Sequence, residues 1–132
     1  MGALLEFLVD NPVDDVTEEV IVSKRLEKFP FKIKAMTGKE FSEYQKLATV
    51  IGRKKKVSFD SQKFNEQVVL NHVIEPNFRD AESIKAAKCL SPEQFLYRSL
   101  LAGEISELSN KISMLSGFDS DIEETIEEAK NS

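Results

Sequence analysis

Ser91–Gly117, SPEQFLYRSLLAGEISELSNKISMLSG, carries the clearest periodic signal in the chain. Ser91 can cap a first helical turn, Pro92 suits the first helical position, and Gln94 stands where a capping box places its return partner. Gly117 is the expected left-handed stop. Between them Leu101, Ile105, Leu108, Ile112 and Leu115 recur at spacings of four and three. At about 100° per residue the five fall within roughly 80° of one another. A stripe of small residues, Ala102, Ser106, Ser109, Ser113 and Ser116, lies beside them, with Glu104, Glu107, Asn110 and Lys111 opposite. The pattern predicts one helix over 92–116, the longest in the chain, with an apolar ridge next to a low shelf. Such a shelf lets another helix approach closely; nothing on it is chemistry. In heptad terms Ile105 and Ile112 take the a positions and Leu101, Leu108 and Leu115 the d positions, for barely two heptads. The ridge therefore reads first as an internal core face. Its second reading is a partner-binding face made of Leu101, Ile105, Leu108, Ile112 and Leu115.

Working outward, Ala3–Val9 predicts one or two helical turns, ended by Asn11-Pro12 because the residue before proline avoids the helical region. Val16–Ser23 and Phe31–Met36 are rich in β-branched and aromatic residues. In the second, Phe31, Ile33 and Ala35 alternate with Lys32 and Lys34, which marks a half-buried strand. The two segments are expected to pair as an antiparallel hairpin. Thr37-Gly-Lys-Glu40 is a capping box opening a helix through Phe41, Tyr44, Ala48 and Ile51, with Gly52 as its stop. Arg53–Lys56 is a basic loop. Gln62–Ile74 is apolar nearly all round towards its end and is expected to be the most buried helix. Asp80–Lys88 is a short helix with acids at its start and bases at its end, as the helix dipole prefers. The final acidic helix, within 119–132, offers only Ile122 and Ile126 as large apolar residues and is expected to fray. The expected fold is mainly α within the α+β class. A small antiparallel hairpin near the N-terminus is followed by a bundle of about four to five helices, in one domain over 1–132.

A chain of 132 residues buries roughly two-thirds of its unfolded surface, enough for a core without staples. The net charge of −5 is unevenly spread: residues 1–23 carry −6, residues 117–132 carry −5, and the middle carries +6. No apolar run approaches the roughly 20 residues needed to cross a bilayer. The start MGALLEFLVDN lacks the basic region of a signal peptide, so a cytoplasmic protein is expected. The single Cys89 precludes an internal disulfide, and with the single His72 it precludes a four-ligand Cys/His zinc site.

Reactive candidates are few. His72 and Cys89 are a conceivable base and nucleophile, but no third group or oxyanion loop accompanies them, and His72 lies in an apolar run. Asp119-Ser-Asp121-Ile-Glu123 looks like the start of a calcium loop, yet Glu124 stands where glycine is needed and Lys130 where glutamate is needed. Arg53–Lys56 is a basic stretch without the glycine spacing of a phosphate loop. It supports an alternative reading as a small nucleic-acid-binding regulator, which sits poorly with an acidic chain. No catalytic, cofactor or metal site is expected, and elimination points to a binding protein.

Four stretches carry a resemblance. They are LLEFLVDNPVDDVTEEVIVSKR (4–25), FKIKAMTGKEFSEYQK (31–46), FNEQVVLNHVIEPNFRDAES (64–83) and SPEQFLYRSLLAGEISELSNKISMLSGFD (91–119). In this order, over nearly the whole length, they resemble the XkdN-like family of phage tail assembly chaperones, found in Gram-positive phages and PBSX-type prophages. The resemblance implies a non-enzymatic protein of the host cytoplasm. It implies binding to the long helical tape-measure protein, keeping it soluble while the tail tube assembles, and absence from the finished particle. It also implies self-association and a longer frameshifted form. A structural component retained in the tail is the alternative within the same setting.

Overall fold

A computed structural model describes residues 2–118; the acidic helix expected within 119–132 lies outside the described residues. The organising unit is a three-stranded antiparallel sheet in the order β1-β2-β5, formed by β1 (Thr17–Val20), β2 (Phe31–Lys34) and β5 (Val73–Glu75). The hairpin expected from the first two segments is present, with Thr17 opposite Lys34 and Val20 opposite Phe31. In β2, Phe31 and Ile33 are buried and Lys32 and Lys34 half-buried, as the alternation requires.

The third strand departs from expectation. Gln62–Ile74 reads as one helix, but α3 runs Ser61–His72 and the chain then extends. Val73 and Ile74 are β-branched, Pro76 forces the residue before it out of the helical region, and the open edge of β2 supplies a ladder, with Ile33 paired to Val73. The same competition shortens the preceding helix. The Thr37 capping box forms with both of its bonds, and α2 spans Gly38–Ala48. Thr49-Val50-Ile51 then leaves the helix as β3 (Thr49–Ile51) and pairs with β4 (Val57–Phe59) in a second hairpin tipped by Arg53–Lys56.

Helix α3 packs between α2 and α6 (Ala102–Leu115). The core joins the sheet to these helices through Ile33, Val68, Val69, Leu96, Leu108 and Ile112, all fully buried. Two of the small residues on the predicted shelf serve this packing. Ser109 Oγ donates to Asn65 Oδ1 of α3 at 2.8 Å, and Ser116 Oγ accepts from the Met36 amide at 2.8 Å. Gly117 ends α6 at φ +100, the left-handed stop expected of it. Helix α4 (Ala81–Ala86) is the short helix expected over 80–88, capped by Asp80. At the N-terminus, α1 (Ala3–Asp10) buries none of its residues.

The largest departure concerns 92–116. Instead of one helix there are two, α5 (Pro92–Ser99) and α6, separated by Leu100 and Leu101 in extended backbone. The α5 start is as expected: Ser91 Oγ accepts from the Gln94 amide at 3.2 Å. The return bond goes one residue further out, from the Leu90 amide to Gln94 Oε1 at 2.8 Å.

Candidate functional site

The break between α5 and α6 is held from the far side of the sequence. In a continuous helix the Leu101 amide would be satisfied within the helix; here it donates to Glu104 Oε1 at 2.7 Å. The Glu104 carboxylate also accepts from Ser23 Oγ at 2.6 Å, Arg25 Nε at 3.1 Å and Arg25 Nη2 at 2.6 Å. Arg25 reaches across to the end of α5 as well, donating to the Ser99 carbonyl at 3.1 Å. One guanidinium therefore caps the C-terminus of one helix and anchors the glutamate at the N-terminus of the next, where the helix dipole favours negative charge. The Arg25 bonds hold the Glu104 carboxyl down to about 2, against its desolvation.

The break opens a recess at the junction. Between α3, α5 and α6 lies a cavity of about 470 Å³ with Leu100 and Ile105 among its walls. Tyr97 and Ser61, Gln62 and Asn65 of α3 complete it, with Ala102 and Ser106 as its small-residue wall. Ser106 and Ala102 are thus the part of the predicted shelf that remains open once α3 has taken Ser109.

The five residues singled out as a partner-binding face do not stay together. Ile105, Leu108 and Ile112 are buried in the chain's own core and Leu115 packs against it. Leu101, displaced from the ridge by the break, is 60% exposed. The stripe is chiefly the core face it first reads as, with α6 packed on α3 and the sheet. Leu101 stands in water, and Ile105 and Leu115 border surface recesses. Ser23, Arg25 and Tyr97 are absent from the sequence-based expectation, and no local pattern marks them: Arg25 and Glu104 lie 79 positions apart.

Among the described residues the reactive candidates find no partners that would make them a site. His72 is fully buried and shares a 2.8 Å hydrogen bond with Tyr44 Oη, with Glu40 at 3.8 Å; Cys89 is not among its polar neighbours. Burial pushes the Tyr44 hydroxyl up to about 12. Burial likewise lowers the His72 pKa, against the pull of Glu40. Below about pH 6.5 the unfolded chain therefore takes up this proton before the folded one does. Stability is expected to be at its plateau above that value and to decline as the pH falls below it. Thermal unfolding across this range checks it, and the decline should be smaller in His72→Gln. Arg53–Lys56 project exposed from the hairpin tip, and the calcium-like segment beginning at Asp119 lies outside the described residues. Among the described residues no cluster of His, Cys, Asp or Glu is placed to hold a metal ion, and no helix is long and apolar enough to cross a membrane.

Fold and surface thus define a small α+β protein whose described residues present recesses of mixed polar and apolar lining. Comparison with known proteins gives that class a family. Residues 4–130 match the family described as phage XkdN-like tail assembly chaperone protein. The chain is 33% identical over 115 residues to the phage-like element PBSX protein XkdN of Bacillus subtilis (strain 168), covering 83% of this chain and 78% of that one. It is 32% identical over 135 residues to the uncharacterized protein YqbN of the same strain, covering 95% of this chain and 91% of that one. The crystal structure of the protein YqbN superposes with a TM-score of 0.67 at 28% identity, covering 90% of this chain and 99% of that one. The chain belongs to the XkdN-like phage tail assembly chaperones.

Proposed function

We propose that this chain is a non-enzymatic chaperone for the tape-measure protein. It receives a helical segment of that client in the α3–α5–α6 recess and keeps it soluble in the host cytoplasm while the tail tube forms. The observation that carries the reading is the recess itself. A tape-measure protein is long and helical, and its amphipathic segments need an apolar floor with low walls. Leu100 and Ile105 supply the floor, Ala102 and Ser106 a wall low enough for a helix backbone, and Leu101 an exposed apolar contact at the junction. Two or three buried side chains contribute about 1.5–3 kcal/mol each before the cost of association, so a single contact is weak and releasable. Many copies along one client supply the retention.

Co-expression tests this. With the wild-type chain, the tape-measure protein should move from the insoluble to the soluble fraction. Ser106→Phe, which fills the recess from an exposed position, should abolish the effect while leaving the melting temperature nearly unchanged. An insoluble client beside folded wild-type protein counts against the reading. Undiminished rescue by Ser106→Phe places the contact elsewhere.

A further inference from the structure

The second hairpin is an apolar ribbon that the described residues leave bare. Residues directly opposite in an antiparallel pair share a face, and β3 and β4 pair Thr49 with Phe59, Val50 with Ser58 and Ile51 with Val57. Ile51, Val57 and Phe59 therefore line one face, each 54–73% exposed. Among the described residues each strand also keeps an open edge. A lone two-stranded hairpin is marginal in water, and an uncovered apolar ribbon invites other chains to pair with it, so this face calls for a cover.

The tip adds charge. Arg53, Lys54, Lys55 and Lys56 follow one another, and Lys54 and Lys55 stand at φ 59 and 58, left-handed positions that favour asparagine and glycine. Turn preference alone would select neither lysine. The ion pairs among the described residues engage Arg25, Lys63, His72 and Lys111, none of them at the tip. The acid nearest to the tip along the chain, Asp60, caps α3 by accepting from the Lys63 amide at 3.1 Å.

We propose that segment 119–132 of the same chain docks on this hairpin, with Ile122 and Ile126 on the Ile51–Val57–Phe59 face and its acids against the basic tip. Charge and spacing favour this occupant. The segment carries Asp119, Asp121, Glu123, Glu124, Glu127 and Glu128 against a single base, Lys130. Ile122 and Ile126 stand four apart, the spacing that puts both on one face of a helix. Packing delivers the segment to the right place. Phe118 sits against Phe41 with ring centroids 4.8 Å apart, Phe41 meets Phe64 at 5.7 Å, and Phe64 meets Phe59 at 5.6 Å. This row of rings runs from the residue before the segment to the base of the bare face. Its three steps span at most about 16 Å, which about five extended residues or about eleven helical ones cover. Because the segment is tethered there, weak contacts suffice to hold it. A partner for this face would have to displace it. The inference uses no residue of the client recess and stands apart from that reading.

Carbodiimide cross-linking of the full chain, which joins a lysine amine to a carboxylate in contact with it, is the test. It is run on an equal mixture of isotope-labelled and unlabelled protein and read by mass spectrometry. Links from Lys54, Lys55 or Lys56 to Glu123, Glu124, Glu127 or Glu128 should form, each within a single isotopic copy. The Lys63–Glu66 pair, 3.0 Å apart, is the internal control. With the control linked, absence of tip-to-segment links overturns the proposal. Links joining labelled to unlabelled copies make a second copy the occupant and overturn it too. Links that appear only after nuclease treatment assign the tip to nucleic acid and overturn it as well. Hydrogen exchange tests the apolar half. Ile122→Asp/Ile126→Asp should speed exchange over 49–59 by about tenfold while exchange in α3 and α6 stays as in the wild type. Unchanged exchange over 49–59 overturns the proposal. Should that variant not fold, Ile122→Ser/Ile126→Ser takes its place, with the same two outcomes.

Discussion

Glu104→Ala is expected to cost about 3 kcal/mol and to lower the melting temperature by roughly 10 °C, among the largest effects of any single polar substitution here. The turn after β1 covers the carboxylate, and only 4% of Glu104 is exposed. Removing it leaves the Leu101 amide and the Ser23 hydroxyl without their acceptor and strips Arg25 of its ion pair. Arg25 is half-exposed and can turn to water, which keeps the cost below that of a fully buried pair. Glu104→Gln retains an oxygen for the Leu101 amide and should lose less. The pair also sets an acid limit. The folded pKa of about 2 lies below the ordinary glutamate value of 4.5, so the stabilisation is present above about pH 4.5 and is lost as the pH falls towards 2. In Glu104→Gln that acid slope should flatten while the His72-linked slope that begins below about pH 6.5 persists. Thermal unfolding at a series of pH values separates the two.

Leu108→Ala should be at least as costly, about 3–4 kcal/mol by urea unfolding. Leu108 is fully buried where α6 meets α3, between Ile105 and Ile112, and its deletion opens a cavity that rigid helices on both sides cannot close. Leu101→Ala should change stability by less than about 0.5 kcal/mol, because that side chain stands in water. The contrast matters for function. If tape-measure rescue falls in Leu101→Ala while stability holds, the residue contacts the client; loss of rescue in Leu108→Ala reports only loss of fold.

Local signals are legible in this sequence where a single segment decides its own structure. The Thr37 capping box, the Ser91 cap, the Phe31–Lys34 alternation and the Gly117 stop are all such cases. Pairing decisions are not legible. Thr49-Val50-Ile51 and Val73-Ile74 have helical spacing to what precedes them, and only the presence of β4 and of the free edge of β2 turns them into strands. The kink at Leu100–Leu101 is the sharpest case. Within 91–117 Gly103 weakens a continuous helix but does not place the break; the side chains that hold the two pieces apart, Ser23 and Arg25, belong to a turn near the other end of the chain. The candidate site inherits that limit. The small-residue shelf is visible in the sequence, whereas its division between α3, which takes Ser109, and the open recess at Ala102 and Ser106 depends on the kink. The apolar character of α1 is equally visible; that none of the described residues buries it is not.

Hydrogen–deuterium exchange on the full chain, free and bound to a soluble helical segment of the tape-measure protein, tests the client reading most directly. Slowed exchange over 61–65 and 97–106, absent in Ser106→Phe, is the expected result. Slowed exchange confined to α1 or to the 49–59 hairpin, with 97–106 unchanged, would contradict it.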